Sequence, residues 1–71
     1  MLYFTKYAEN KFDILNKHKV FITKEQVEGV VSLPDKTRRK GKNYFSTREG
    51  VEVIWKKEAD IIKILTFYPI K

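Results

Sequence analysis

The chain has no cysteine, a single histidine and only three glycines, and these scarcities remove whole classes of chemistry. Disulfide scaffolds, Cys-ligated zinc, iron–sulfur clusters and thiol nucleophiles are excluded outright. His18 has no second imidazole at ligand spacing, and the carboxylates are scattered, so neither a metal nor any other cofactor is expected. No glycine-rich phosphate loop is present, and Ser32 and Ser46 lack the surroundings of an activated nucleophile. Long hydrophobic runs are also missing, so no segment is expected to span a bilayer. Leu2, Tyr3 and Phe4 are followed at once by Thr5 and Lys6, which is no signal-peptide core. The expectation is a cytoplasmic protein without a membrane partner. At 71 residues the chain is too short for a dinucleotide-binding fold or an eight-stranded barrel, and residues 1–71 are expected to form one domain.

What the sequence does have is positive charge. Fifteen Lys+Arg stand against nine Asp+Glu, a net charge of +6 with a pI near 9.7, so a polyanion is the first partner to consider. The excess is not evenly spread. Lys36, Arg38, Arg39, Lys40 and Lys42 fall within seven positions around Gly41, with no acidic residue among them. Arg48, Lys56 and Lys57 extend the patch onto neighbouring strands. Clustered cations release condensed counterions from a phosphate backbone, and Tyr44 and Phe45 beside them are suited to stacking on unpaired bases. The nucleic-acid-binding candidates are therefore Lys36, Arg38, Arg39, Lys40, Lys42 and Tyr44. The plainer reading of the same residues is a charged hairpin tip that keeps the chain soluble and its sheet edge unpaired.

The pattern along the chain divides into a helical first half and a stranded second half. Residues 2–4 suit a first short strand. Thr5 can cap a helix through Asn16, since Ala8, Phe12 and Leu15 share one face, and His18 and Lys19 suit its C-terminal end. Thr23 and Gln26 form a capping-box pair for a second helix, Ile22 and Val27 fit a hydrophobic staple, and Val27, Val30 and Val31 make its apolar stripe. Gly29 within that helix suggests close packing, and Pro34 ends it. Strands are expected over 43–47 and from Val51, with Val51, Val53 and Trp55 alternating against Glu52, Ile54 and Lys56. Glu58, Ala59 and Asp60 make a short turn. Residues 61–68 are nearly continuous apolar sequence, as in a central strand covered on both faces, and Pro69 stops it. The expected fold is α+β: two N-terminal helices packed on a three- to four-stranded antiparallel sheet in the order β-α-α-β-β-β, with 36–42 as a mobile strand–turn–strand tip.

Metal-free RNA cleavage remains open to this inventory. Arg38, Arg39, Arg48 and Lys56 are available to stabilise phosphoryl charge, and Tyr68 or His18 to move protons.

The succession FTKYAENKF, VFITKEQVEGVVSLPD, a basic hairpin and VEVIWKKEADIIKILTFYP resembles a widespread family of small uncharacterised domains. Its members read T-x-H-A near the start, then G-I-[ST]-x-x-[DE]-V-x-x-[AVIL]-[AVIL]-x-x-P, and end in V-x-T-x-Y-like strands. That family looks related to the RelE-like ribonuclease toxins, including the BrnT type, of toxin–antitoxin systems. The likeness runs over residues 4–69, with Thr5, Ala8, Ile22, Thr23, Val27, Pro34, Thr66 and Tyr68 at the matching positions. Tyr7 stands where the family usually has histidine, and a phenol is rarely charged near neutrality. The resemblance implies a RelE-like fold, RNA as substrate, an acidic antitoxin-type partner, and Arg48, Lys56 and Tyr68 as catalytic residues of a metal-independent ribonuclease. A non-catalytic nucleic-acid-binding module and a homodimeric interaction domain are the alternatives.

Overall fold

Local signals decide the first half of the chain. The structure, a computed structural model, describes residues 2–70. β1 (Leu2–Phe4) runs directly into α1 (Lys6–Lys17), and α2 (Lys24–Ser32) follows. Thr5 Oγ1 accepts from the Ala8 amide at 3.2 Å and donates to the Ile64 carbonyl at 3.0 Å, so one hydroxyl both caps α1 and ties it to the sheet. At α2 the capping box is complete: Gln26 N–H donates to Thr23 Oγ1 at 3.1 Å, and Thr23 N–H to Gln26 Oε1 at 2.8 Å. His18 is the C-cap of α1, and α2 ends before Pro34 as expected. A Cβ added at Gly29 meets only the end of the Arg48 side chain, at 4.0 Å, so the expected close packing there is absent.

The second half is all strand: β2 (Lys36–Lys40), β3 (Asn43–Arg48), β4 (Val51–Glu58) and β5 (Ile61–Pro69). The five strands form one sheet in the order β1-β5-β4-β3-β2. Strands β2 to β5 are an antiparallel meander, whereas β1 pairs parallel to β5 with Leu2 opposite Ile62 and Phe4 opposite Ile64. The expectation of three or four antiparallel strands is thus corrected twice. The sheet is mixed because β1 is followed by a helix and no hairpin dictates its direction. It has a fifth strand because 36–40, expected within a mobile tip, pairs with β3 along its whole length, from Lys36↔Thr47 to Lys40↔Asn43. Only Gly41 and Lys42 form the turn, with Gly41 at φ 64°.

Residues directly opposite in an antiparallel pair share a face. Val53 lies opposite Phe67, and with Ala8, Val27, Val30, Val51 and Ile64 they make the buried core. Both helices therefore lie on one face. Phe12 links that core to β1 through ring contacts of 4.4 Å with Phe67 and 5.8 Å with Phe4. β5 is an interior strand, flanked by β1 and β4, yet Lys63, Thr66 and Tyr68 face the side no helix covers, which corrects the expectation of a central strand covered on both faces. Pairing shifts between Ile54↔Thr66 and Trp55↔Ile64, leaving Leu65 as the extra residue of a bulge.

The β4–β5 turn stores strain. Ala59 has φ 54°, a left-handed conformation that its Cβ makes costly by about 1–2 kcal/mol. Glycine removes that cost and returns part of it as chain entropy, so Ala59→Gly should stabilise the domain by about 0.5 kcal/mol. Chemical denaturation of the two proteins checks this, and an unchanged or lower midpoint contradicts it.

Candidate nucleic-acid interface

β2 has the sequence KTRRK, and all five residues are exposed. With no apolar side chain it has nothing to contribute to a core, and its backbone pairs with β3 alone, which is the situation of an edge strand. Its alternation divides the cations. Arg38, opposite Phe45, points to the helix-free face with Lys36 and Lys40, while Arg39, opposite Tyr44, points to the helix side with Thr37.

Each arginine lies on an aromatic ring. The Arg38 guanidinium carbon is 5.4 Å from the Phe45 centroid, and that of Arg39 is 5.5 Å from the Tyr44 centroid, contacts worth roughly 0.5–1 kcal/mol at exposed sites. Tyr44 in turn stacks on Trp55, with centroids 4.4 Å apart and planes 13° from parallel. Behind this column, Trp55 Nε1–H donates to Ser46 Oγ at 3.0 Å, and Ser46 Oγ lies 3.1 Å from Thr37 Oγ1. Ser46 is fully buried, so this hydrogen-bonded chain ties β2 through β3 to β4. The basic ribbon is therefore an ordered edge.

On the helix-free face Arg38 also reaches Glu52, with Nη2 3.3 Å from Oε2. Glu52 is only 7% exposed, and it bonds the hydroxyl of Tyr68, which faces it across β4 and β5. Burial, first, and then the hydrogen bond and charge of Glu52 push the Tyr68 phenol above its ordinary value, with Arg38 pulling weakly the other way. Further along the same face Glu58 is bracketed by Lys63 at 2.6 Å and Lys56 at 3.3 Å. Hydrogen bonds from Lys63 and then Lys56 hold the Glu58 carboxyl below its ordinary value, and the bond to Glu58 raises Lys63.

The residues expected to cleave RNA are not gathered in one place. Arg48 is opposite Val51 and so on the helix side, lining a hollow with Gln26, Gly29 and Val30. Tyr68, opposite Glu52, is on the other face. Lys56 shares that face but sits four residues along β4 from Glu52, about 13 Å at strand rise. The binding candidates do converge: Lys36, Arg38, Arg39 and Lys40 on β2, Lys42 in the turn and Tyr44 beside them. Glu52 and Trp55 join them and were not singled out as site residues. Glu52 was legible as a carboxylate within an alternating strand, while Trp55 looked like core.

No known protein family, curated protein or solved structure matches the chain. No helix among the described residues is long and apolar enough to cross a membrane, and no three His, Asp or Glu among them are placed to hold a metal ion.

The Tyr68 shift has a sign that can be measured. A raised value means that the neutral hydroxyl stabilises the fold below the ordinary phenol range, and that this contribution is lost as pH climbs through the folded-state value. Alkaline titration followed by ultraviolet absorbance should show a late phenolate step, absent in Tyr68→Phe. In Glu52→Gln the step should move to lower pH and stay above the ordinary value of about 10, because burial remains.

Proposed function

We propose that this chain is a small basic RNA-binding protein of RelE-like kind, holding a single strand along β2 and the aromatic side chains behind it. The observation that carries this reading is β2 itself: four cations in five consecutive exposed positions, with its two arginines laid on rings on opposite faces of the sheet. A line of cations at strand spacing suits a phosphate backbone, and the planar guanidinium groups held over the rings suit unpaired bases. The resemblance of residues 4–69 to a family of small domains that looks related to RelE- and BrnT-like toxins favours RNA over DNA, and it makes an acidic antitoxin-type protein the natural competitor for the same edge. Self-association through β2 is disfavoured, since pairing two such edges brings like charges face to face.

Metal-independent cleavage is the second reading, and one observation favours it: the Arg38, Glu52 and Tyr68 group on the helix-free face. Tyr68 keeps its proton at neutral pH, so its role in such a reaction is to donate to the departing 5′-oxygen as the 2′-oxygen attacks phosphorus and gives its own proton to the Glu52 carboxylate. Arg38 is the cation beside it, able to stabilise charge on the phosphoryl oxygens.

The test is a binding assay on single-stranded RNA, single-stranded DNA and duplex DNA over a range of salt, scored for cleavage in EDTA. If each β2 cation meets one phosphate, log affinity should fall against log salt with a slope of about −3 for single-stranded RNA. Replacing Arg38, Arg39 and Lys40 by Ala should bring the slope to about −1 or less in magnitude. An unchanged slope removes β2 from the account. If the strand is cut, Tyr68→Phe should abolish cutting at unchanged affinity, and cutting by that variant rejects the second reading.

A further inference from the structure

One cavity near the interface has a composition that strand binding alone does not call for. It lies between the β2–β3 turn and the end of β4, has a volume of about 380 Å³, and is lined by Arg39, Lys42, Tyr44, Lys56, Lys57 and Glu58, with no helix residue. That volume falls within the range of small-molecule sites, about 300–1,000 Å³. It forms because β4 runs on past β3: the last β3–β4 pair near this end is Tyr44↔Trp55, while Lys56, Lys57 and Glu58 continue alongside β5 only.

Two features give it a ligand chemistry. The first is a column, with Trp55 stacked on Tyr44 and the Arg39 guanidinium carbon over the same ring at 5.5 Å. Both faces of Tyr44 are taken, so the open end of the column is the Arg39 guanidinium, which its Nε–H holds to the Gly41 carbonyl at 3.1 Å. A guanidinium plane fixed in this way is a shelf for a heteroaromatic base. The second is charge. The single carboxylate of the wall, Glu58, is already bonded by Lys63 and Lys56. Lys42 and Lys57 have no carboxylate partner among the described residues. Two uncommitted ammonium groups beside the shelf exceed what one diester phosphate requires and suit a terminal phosphate, which carries about 1.5–2 negative charges.

We propose that this cavity binds a nucleoside monophosphate group, with its base on Arg39 and its terminal phosphate between Lys42 and Lys57. The chemistry is common to a phosphorylated end of an RNA strand and to a free nucleotide; the strand end rests on the RNA-binding reading above, the free nucleotide does not.

Trp55, the only tryptophan of the chain, lies in the column and reports directly. Its fluorescence is followed during titration with AMP, adenosine, ribose 5-phosphate, and tetra-adenylate with and without a 5′-phosphate. AMP should bind about tenfold more tightly than adenosine, and the 5′-phosphate should give tetra-adenylate a similar gain. The double variant Lys42→Gln, Lys57→Gln should lose both gains. Arg39→Lys, which keeps the charge and loses the plane, should bring AMP down to the level of ribose 5-phosphate. Arg39, Lys42 and Lys57 are all exposed, and circular dichroism confirms that the variants fold. A gain with tetra-adenylate alone assigns the pocket to strand ends, and one with AMP alone assigns it to free nucleotides. Equal binding with and without phosphate overturns the pocket while leaving salt-dependent RNA binding intact. No response to any probe overturns it as well, and RNA binding then stands or falls on the salt series.

Discussion

The chain builds one packed apolar layer and no second one, and the rest of the structure follows from that shortage. A domain of this size buries a modest share of its surface, and here the core of Ala8, Val27, Val30, Val51, Val53, Ile64 and Phe67 lies wholly between the helices and one face of the sheet. The other face carries Phe45 and Ile54 among polar groups that satisfy one another. Glu52 is buried beneath Arg38 and Tyr68, Glu58 sits between Lys56 and Lys63, and Arg38 covers the ring of Phe45. A sheet finished in this way stays open, and its charged groups stay accessible.

The same shortage explains β2. A strand without apolar residues can only be an edge, and a cationic edge resists pairing with other sheets. Solubility alone would be served by lysines moving freely in solvent. Instead both arginines are held against rings, and the Thr37, Ser46 and Trp55 chain anchors the strand behind them. The order of this edge is what separates a recognition surface from a charged fringe, because prealigned groups lose less freedom when a strand binds.

Much of the helical half was legible because its signals are local. Thr5, and Thr23 with Gln26, cap their helices through neighbours three residues away, and the valines of α2 repeat at helical spacing. The turn around Gly41 was legible, but the length and full pairing of the fifth strand were not, since KTRRK contains no apolar residue and hence no period to read. The parallel pairing of β1 depends on a partner some 60 positions along the chain, and no local pattern encodes it. The patch of cations was legible as charge density; its division between two faces was not, because strand parity depends on register. One sign of it was present all the same. A two-residue turn at Glu49 and Gly50 places Arg48 opposite Val51, which already sets Arg48 on the face away from Glu52 and Tyr68. The shift at Leu65 left no comparable mark in an unbroken apolar run.

The central claim is that the ordered β2 edge and its aromatic backing are the surface that meets RNA. Backbone amide chemical-shift mapping on addition of a short single-stranded RNA addresses it residue by residue. The account predicts shifts confined to β2, the Gly41 and Lys42 turn, the start of β3 and the stretch of β4 around Trp55, with α1 unmoved. Shifts centred on the exposed face of α1 around Tyr7 and Ile14, or none at all at low salt, would contradict it.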